Sequence, residues 1–123
     1  MRPLVIGGHV WGVDRVSPGN PFLMDRTGTR RIATTDPVSK VIRISDAVMP
    51  PLYDKVLLHE AAHAAMVESG LTDLLAAATE DRGQVLMEEL LAWFMEEHGI
   101  KIVQAVINSL GRPICINDTC IGG

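Results

Sequence analysis

The chain is poor in aromatic residues, in positive charge and in long apolar runs. Aromatic residues make up 4% of its 123 residues, so aliphatic side chains and methionine must fill the core. Eleven lysines and arginines against 15 aspartates and glutamates give a net charge of -4, which argues against a nucleic-acid-binding protein because phosphate binding needs a positive surface. No apolar run approaches the roughly 18 to 20 residues that cross a bilayer, and the N-terminus lacks the apolar segment and cleavage site of a signal peptide. A cytoplasmic protein that contacts neither nucleic acid nor membrane is expected.

Cysteine is scarce as well, since the chain has two, Cys115 and Cys120. Four residues separate them, which is wider than the two-residue spacing of most zinc ribbons, and no second pair exists to complete a four-ligand site. Because cytosolic thiols stay reduced, we expect two free thiols on a mobile tail, with a disulfide or a metal contact as the alternative. The sequence thus predicts a single domain over residues 1–111 and a C-terminal tail over residues 112–123.

The first 45 residues have the pattern of short strands. Hydrophobic residues make up 47% of the chain, which is enough for a core at this length. Valine, isoleucine and tryptophan are frequent in residues 4–16, clusters of glycine and proline follow, and Val41 to Ile44 is a clear strand segment. These patterns predict three or four short antiparallel strands.

The pattern becomes helical after two consecutive prolines. The run from Leu52 to Ser69 contains no glycine or proline, which favours a helix. A second helix is predicted over residues 84–98, ended by Gly99, and a third over residues 100–110. The sequence therefore predicts an α+β fold, in which a small antiparallel sheet of three or four strands is followed by two or three helices in a zincin-like minimal core.

The most informative motif is H-E-x-x-H, which runs from His59 to His63. Residues four apart lie one above the other on a helix, so both imidazoles can reach one zinc ion at about 2.0–2.1 Å. Glu60 can lean over the open coordination position and act as the general base on a zinc-bound water. The histidines fall on one apolar stripe of the helix, which predicts that they face inward. That stripe consists of Leu52, Val56, His59, His63 and Met66.

A zinc site of this kind needs a third protein ligand, and the next helix offers two carboxylates. Glu88 and Glu89 follow His63, and their faces flank the apolar arc of their helix about equally, so periodicity does not choose between them. A close crossing of the two helices favours a small residue one turn further on, which Ala92 provides for Glu89. We expect Zn²⁺ to be bound by His59, His63 and Glu89, with Glu88 as the alternative to Glu89. His98 is a third candidate, but its place at the helix end favours a role in capping the last turn.

A resemblance to known metallopeptidases lies in two segments, VIRISDAVMPPLYDKVLLHEAAHAAMVESGL and MEELLAWFMEEHG. The chain resembles the minimal zincin-type (HExxH, gluzincin-like) metallopeptidases of phages and prophages over residues 40–99, and it is more distantly similar to the ImmA/IrrE group. The resemblance implies a hydrolase in which the strand Val41 to Ile44 precedes the motif helix and can pair with an extended substrate by strand addition. Carried over, the metal ligands and the base are His59, His63, Glu89 and Glu60.

Two functions fit these residues. The first is a zinc-dependent peptidase that hydrolyses peptide bonds in a protein or peptide substrate. The alternative is a zinc-stabilised interaction or structural domain of phage type that has no turnover. Glu60 favours the peptidase, because a structural zinc site has no use for a general base and is normally closed by four protein ligands.

Overall fold

The computed structural model describes residues 3–25, 27–77 and 83–122, with residues 76–77 and 83–88 described by their backbone alone. Within these residues the elements are the strands β1 (Leu4–Ile6), β2 (His9–Val16), β3 (Ala33–Asp36), β4 (Val41–Ser45), β5 (Ile114–Ile116) and β6 (Thr119–Ile121), the helices α1 (Leu52–Glu68), α2 (Leu71–Ala77) and α3 (Gly83–Leu110), and a 3-10 turn at Pro21–Leu23. The predicted α+β fold is confirmed, because a small four-stranded sheet precedes the helices along the chain.

The four-stranded sheet is mixed, so the prediction of an antiparallel sheet is wrong at one pair of strands. The strand order is β1-β2-β4-β3, and the pairs β1–β2 and β4–β3 are antiparallel. The central pair, β2–β4, is parallel, with Gly12 opposite Val41 and Val16 opposite Ser45. A parallel pair needs a long connection, which the 3-10 turn and β3 provide here. Side chains alternate between the two faces of a sheet in parallel and in antiparallel strands alike, so the sequence pattern could not reveal the parallel pair.

The core lies between this sheet and the helices, and α1 turns its alanine-rich face toward it. Leu57, Ala61 and Ala64 have no exposed surface, and the small alanines let the strands approach the helix closely. The helix ends where the sequence predicts, because Gly70 has a φ of 78°, a left-handed conformation that glycine adopts readily at a helix C-terminus. The existence and the end of α1 therefore both follow from local signals.

Helix α3 is continuous, although the sequence predicts two helices separated at Gly99. Phe94, Ile102, Val106 and Ser109 recur at helical spacing and are buried, so one face packs against the core on both sides of the glycine. A glycine inside a helix costs about 1 kcal/mol relative to alanine, and this burial offsets that cost. Among the helices of the described ranges, α3 included, none combines enough length with enough apolar residues to cross a bilayer.

The last residues form a hairpin, which differs from the mobile tail expected from the sequence. Strands β5 and β6 are joined by Asn117 and Asp118, which both have positive φ angles, as a tight hairpin turn requires. Cys115 and Cys120 lie opposite each other and form a disulfide, so the expectation of free thiols is wrong. Ile114 is 1% exposed and belongs to the core, which ties the hairpin to the rest of the domain.

Candidate metal centre

The two histidines of the motif converge on one point. His59 and His63 lie one turn apart on α1 and are both exposed, with ring centroids 4.9 Å apart and ring planes at 70° to each other. Their Nε2 atoms are 3.2 Å apart. A neutral imidazole has one protonated and one unprotonated nitrogen, so two Nε2 atoms at this distance must share either a proton or a cation.

The separation of the two nitrogens fits a zinc ion. Two imidazole nitrogens bound tetrahedrally to zinc at about 2.0–2.1 Å lie about 3.3–3.4 Å apart, and the Nε2–Nε2 distance of 3.2 Å is close to that value. Both rings are exposed, so an ion can reach them without any opening of the helix. Two imidazoles at positions i and i+4 are also a donor set typical of zinc.

The histidines do not face the core, so the prediction from the apolar stripe is wrong. Leu52, which belongs to the same stripe, is 45% exposed. The buried face of α1 is centred near Leu57 and Ala64, about 130° round the helix from the stripe at 100° per residue. The alanines let the sheet come closer than the histidines would, and exposed imidazoles keep their polar nitrogens in water. The two imidazoles, and with them the candidate metal centre, consequently face solvent.

Glu60 lies between the exposed histidine pair and the sheet, and its side chain is buried. It is 8% exposed, and its Oε2 accepts a hydrogen bond of 2.5 Å from the hydroxyl of Thr35 on β3. The same hydroxyl is 3.2 Å from the backbone oxygen of Glu60. Glu60 precedes His63 by three residues, a spacing that makes two side chains neighbours on a helix surface. The carboxylate therefore lies at the boundary between the exposed histidines and the sheet.

Thr35 is a residue that the sequence gives no reason to single out. It lies 25 positions before Glu60, in a strand of sequence ATTD that carries no motif. Alternation along β3 turns Thr35 toward α1, whereas the hydroxyl of its neighbour Thr34 binds the backbone oxygen of Phe22. The signal is a polar residue on the inward face of a strand, and it becomes visible only when the pairing of that strand is known.

The described side chains do not include a third ligand. Among them, no group of three His, Cys, Asp or Glu residues is placed to hold a metal ion. Glu89, the predicted ligand, is exposed, and at 100° per residue it lies opposite the buried face of α3 on which Phe94 and Ser109 are found. The side chain of Glu88, the alternative, lies outside the described residues. Of the three protein ligands that the sequence predicts, the described side chains therefore bring together the two histidines alone.

The strand predicted to bind an extended substrate is an inner strand of the sheet. The strand β4, which contains Val41 to Ile44, pairs with β2 on one side and β3 on the other. Both of its edges are occupied, so a peptide cannot add to it. The outer strand on this side of the sheet is β3, and Thr35 links it to the motif helix. The sheet edge next to the motif therefore belongs to β3.

The charged groups at the end of β3 are paired with each other. Asp36 accepts hydrogen bonds from the hydroxyl of Ser39 at 2.7 Å and from Arg43 at 3.2 Å. The hydroxyl of Ser39, together with its backbone N–H and the guanidinium of Arg43, lowers the pKa of Asp36 to about 2. Arg43 also stacks on Phe22, with its guanidinium carbon 4.1 Å from the ring centroid. The strand therefore ends at a carboxylate that stays ionised at neutral pH.

No protein-family model matches the chain, and no curated protein or solved structure shows significant similarity to it. The resemblance to zincin-type metallopeptidases therefore rests on the H-E-x-x-H motif and the residues around it. A function has to be argued from the geometry of the site.

Proposed function

We propose that this chain is a zinc-dependent peptidase in which His59 and His63 bind the metal and Glu60 is the general base. The observation that carries the proposal is the convergence of two Nε2 atoms, 3.2 Å apart, on an exposed face of α1. Water alone could satisfy two exposed imidazoles, and it gives them no reason to point at each other. A shared proton or a shared cation gives that reason, and the H-E-x-x-H spacing with Glu60 beside the pair favours the cation.

The proposed reaction divides the work among these three side chains. Each histidine binds through an unprotonated Nε2, which requires the proton of the neutral ring to be on Nδ1. Zinc, when bound, would supply the Lewis acidity that makes a water molecule easier to deprotonate and that polarises a peptide carbonyl. Glu60 takes the proton from the attacking water and passes it to the leaving amine. Its position beside His63 supports this role.

For the third ligand we propose Glu88 in place of Glu89. Glu89 lies opposite the face of α3 that is buried against the rest of the domain, so its side chain starts on the side of α3 that is turned away from the core. Position 88 is about 100° nearer to that buried face in the α-helical register. The distinction is testable, because the two residues are adjacent and chemically identical.

The substrate that we propose is a protein or peptide segment bound in an extended conformation. In the described part of the chain, β3 forms the edge of the sheet on the side next to the motif. An outer strand has backbone N–H and C=O groups that can pair with an added strand. A peptide that adds to β3 would run beside the strand that carries Thr35, the residue bound to Glu60.

Zinc analysis of histidine variants tests the ligand set. Protein purified without added metal should contain one zinc per chain, and His59→Ala or His63→Ala should lower zinc affinity by more than about 100-fold, because even the loss of a residue that supports a ligand costs 10- to 100-fold. We expect Glu88→Gln to weaken zinc binding as well, and Glu89→Gln to leave it unchanged. Competition with a chromophoric chelator measures each affinity.

The two remaining histidines of the chain serve as matched controls for this measurement. His9→Ala and His98→Ala remove one imidazole each, outside the motif, and should keep the affinity of the wild type. If all four histidine variants bind zinc equally well, the ion is bound adventitiously and the proposed site is wrong. Protein that contains no zinc and takes up none would contradict the metal centre itself.

A zinc-stabilised interaction or structural domain of phage type is the second candidate. The observation that favours it is the burial of Glu60, whose carboxylate is satisfied by Thr35 as a structural side chain would be. This candidate predicts that zinc raises the free energy of unfolding while the protein hydrolyses no peptide. A cytoplasmic location remains a prediction, and the disulfide between Cys115 and Cys120 is more typical of oxidising compartments.

A further inference from the structure

We propose that Thr35 is a positioning residue, which holds the carboxylate of Glu60 by one oxygen and leaves the other oxygen to act on water. The inference rests on the proposed function of Glu60 as general base. It concerns a residue of the sheet, far from the motif in sequence, and no zinc ligand is involved.

The geometry around the hydroxyl of Thr35 shows where its single proton goes. The distance from Oγ1 to Oε2 of Glu60 is 2.5 Å, whereas the distance to the backbone oxygen of Glu60 is 3.2 Å. Hydrogen bonds between a hydroxyl and a carboxylate are typically about 2.5–2.7 Å long. The hydroxyl therefore donates to the side chain of Glu60, and the longer contact to the backbone is secondary.

This hydrogen bond restricts a side chain that is otherwise free to rotate. A glutamate has three rotatable bonds, and its carboxylate needs polar partners when it is buried. Thr35 binds Oε2 on the sheet side, so Oε1 is the oxygen that we assign to proton transfer on the side of His63. A catalytic group must be held within about 0.5 Å of its productive position, and a bond to the backbone-paired strand β3 provides such a fixed point.

The same residue connects the base to the edge at which we propose that the substrate binds. Thr35 pairs with Ile42 within the sheet, so its backbone belongs to β3 while its hydroxyl reaches α1. The strand β3 would then position both an added peptide, through its backbone, and the carboxylate of Glu60, through the hydroxyl of Thr35. This arrangement sets the distance between the scissile bond and the base.

Substitutions at two strand threonines, one of them far from the site, test the positioning role. Thr35→Val keeps nearly the same side-chain shape and removes the hydroxyl, and it should lower kcat by about 10- to 100-fold with KM nearly unchanged, as expected for a misplaced catalytic group. Thr35→Ser restores a hydroxyl and should return most of the loss. Thr119→Val is the control, because it removes the hydroxyl of an exposed strand threonine in β6, outside the four-stranded sheet, and it should keep the kinetic constants of the wild type.

A second measurement uses metal-free protein and does not depend on turnover. In a double-mutant cycle, Thr35→Val should change the unfolding equilibrium constant by about tenfold when Glu60 is present and by less than about twofold in a Glu60→Ala background. Such a difference shows that the two side chains interact in solution. Equal effects in both backgrounds would mean that the bond is not formed, which overturns the proposal.

The outcomes separate this proposal from the function on which it rests. If the wild type hydrolyses no peptide, the peptidase function and the positioning role both fail. If the wild type is active and Thr35→Val is equally active, or if its loss is not restored by Thr35→Ser, the positioning role alone fails. Coupling in the double-mutant cycle together with a kcat loss that serine restores supports it.

Discussion

Glu60→Gln is expected to lower kcat roughly 10²- to 10⁴-fold, the usual contribution of a general base, while the zinc content stays that of the wild type. The amide has nearly the size of the carboxylate and keeps an oxygen that can accept the hydrogen bond from Thr35, so the local structure should be preserved. It cannot take a proton from water at neutral pH. The loss is measured as the rate at which new amino termini appear when the protein is incubated with a broad peptide mixture.

The matched control is Glu68→Gln, at the end of the same helix. The side chain of Glu68 is also buried, at 7% exposure, and it pairs with Lys40 and His9. Its loss should lower stability without changing turnover per folded, zinc-loaded molecule. If Glu60→Gln retains the activity of the wild type, Glu60 is not the base. If neither the wild type nor Glu68→Gln hydrolyses any peptide, and zinc still raises the free energy of unfolding, the structural zinc domain is the better description.

Helix α1 shows which part of this fold the sequence predicts and which part it does not. Its limits depend on local signals, namely the two prolines before it and the left-handed Gly70 after it, and those signals are read correctly. The orientation of α1 about its own axis depends on which of its two apolar stripes packs against the sheet. The stripe with Leu57 and Ala64 is buried, because small side chains permit closer packing than a stripe that carries two imidazoles. Tertiary packing determines which stripe is buried, and the helical periodicity of the sequence alone does not predict it.

The remaining differences have the same origin in contacts between distant segments. A parallel pairing of β2 with β4 has the same side-chain alternation as an antiparallel one. Helix α3 continues through Gly99 because burial on both sides outweighs the local preference to stop. The C-terminal hairpin has a readable signal, since Asn117 and Asp118 separate two short apolar runs, but only its pairing shows that Cys115 and Cys120 are opposite each other.

The candidate site divides in the same way. The convergence of His59 and His63 follows from their spacing of four residues, and the structure brings the two nitrogens together as that spacing predicts. The partner of Glu60 does not follow, because Thr35 is reached only through the fold. The outer position of β3 is likewise a property of strand order, so the edge proposed to bind substrate is corrected from β4 to β3 once the sheet is known.

Asp54→Ala is expected to lower the free energy of unfolding by about 1–3 kcal/mol, because it removes the buried acceptor of three hydrogen bonds and leaves the half-exposed guanidinium of Arg112 without its partner. The side chain of Asp54, in the first turn of α1, is 6% exposed. It accepts two hydrogen bonds of 2.7 Å from Arg112 and one of 2.8 Å from the backbone N–H of Cys115. This carboxylate therefore fastens the C-terminal hairpin to the helix that carries the histidines, and urea unfolding at pH 7 measures the loss.

The pH dependence identifies the charge as the cause of this stabilisation. The hydrogen bonds from Arg112, joined by the one from Cys115, hold the pKa of Asp54 below its ordinary value of 3.8. A carboxyl group whose pKa is lower in the folded state stabilises the fold above the unfolded pKa and loses that effect as the pH falls through the folded pKa. The difference in the free energy of unfolding between wild type and Asp54→Asn should thus be full at neutral pH and shrink below about pH 4.

The control for the helix dipole is Asp73→Asn, which changes an exposed acid in the first turn of α2. It should lower the free energy of unfolding by less than about 1 kcal/mol. A difference for Asp54→Asn that is as large at pH 3 as at pH 7 would assign the effect to packing and not to the ion pair.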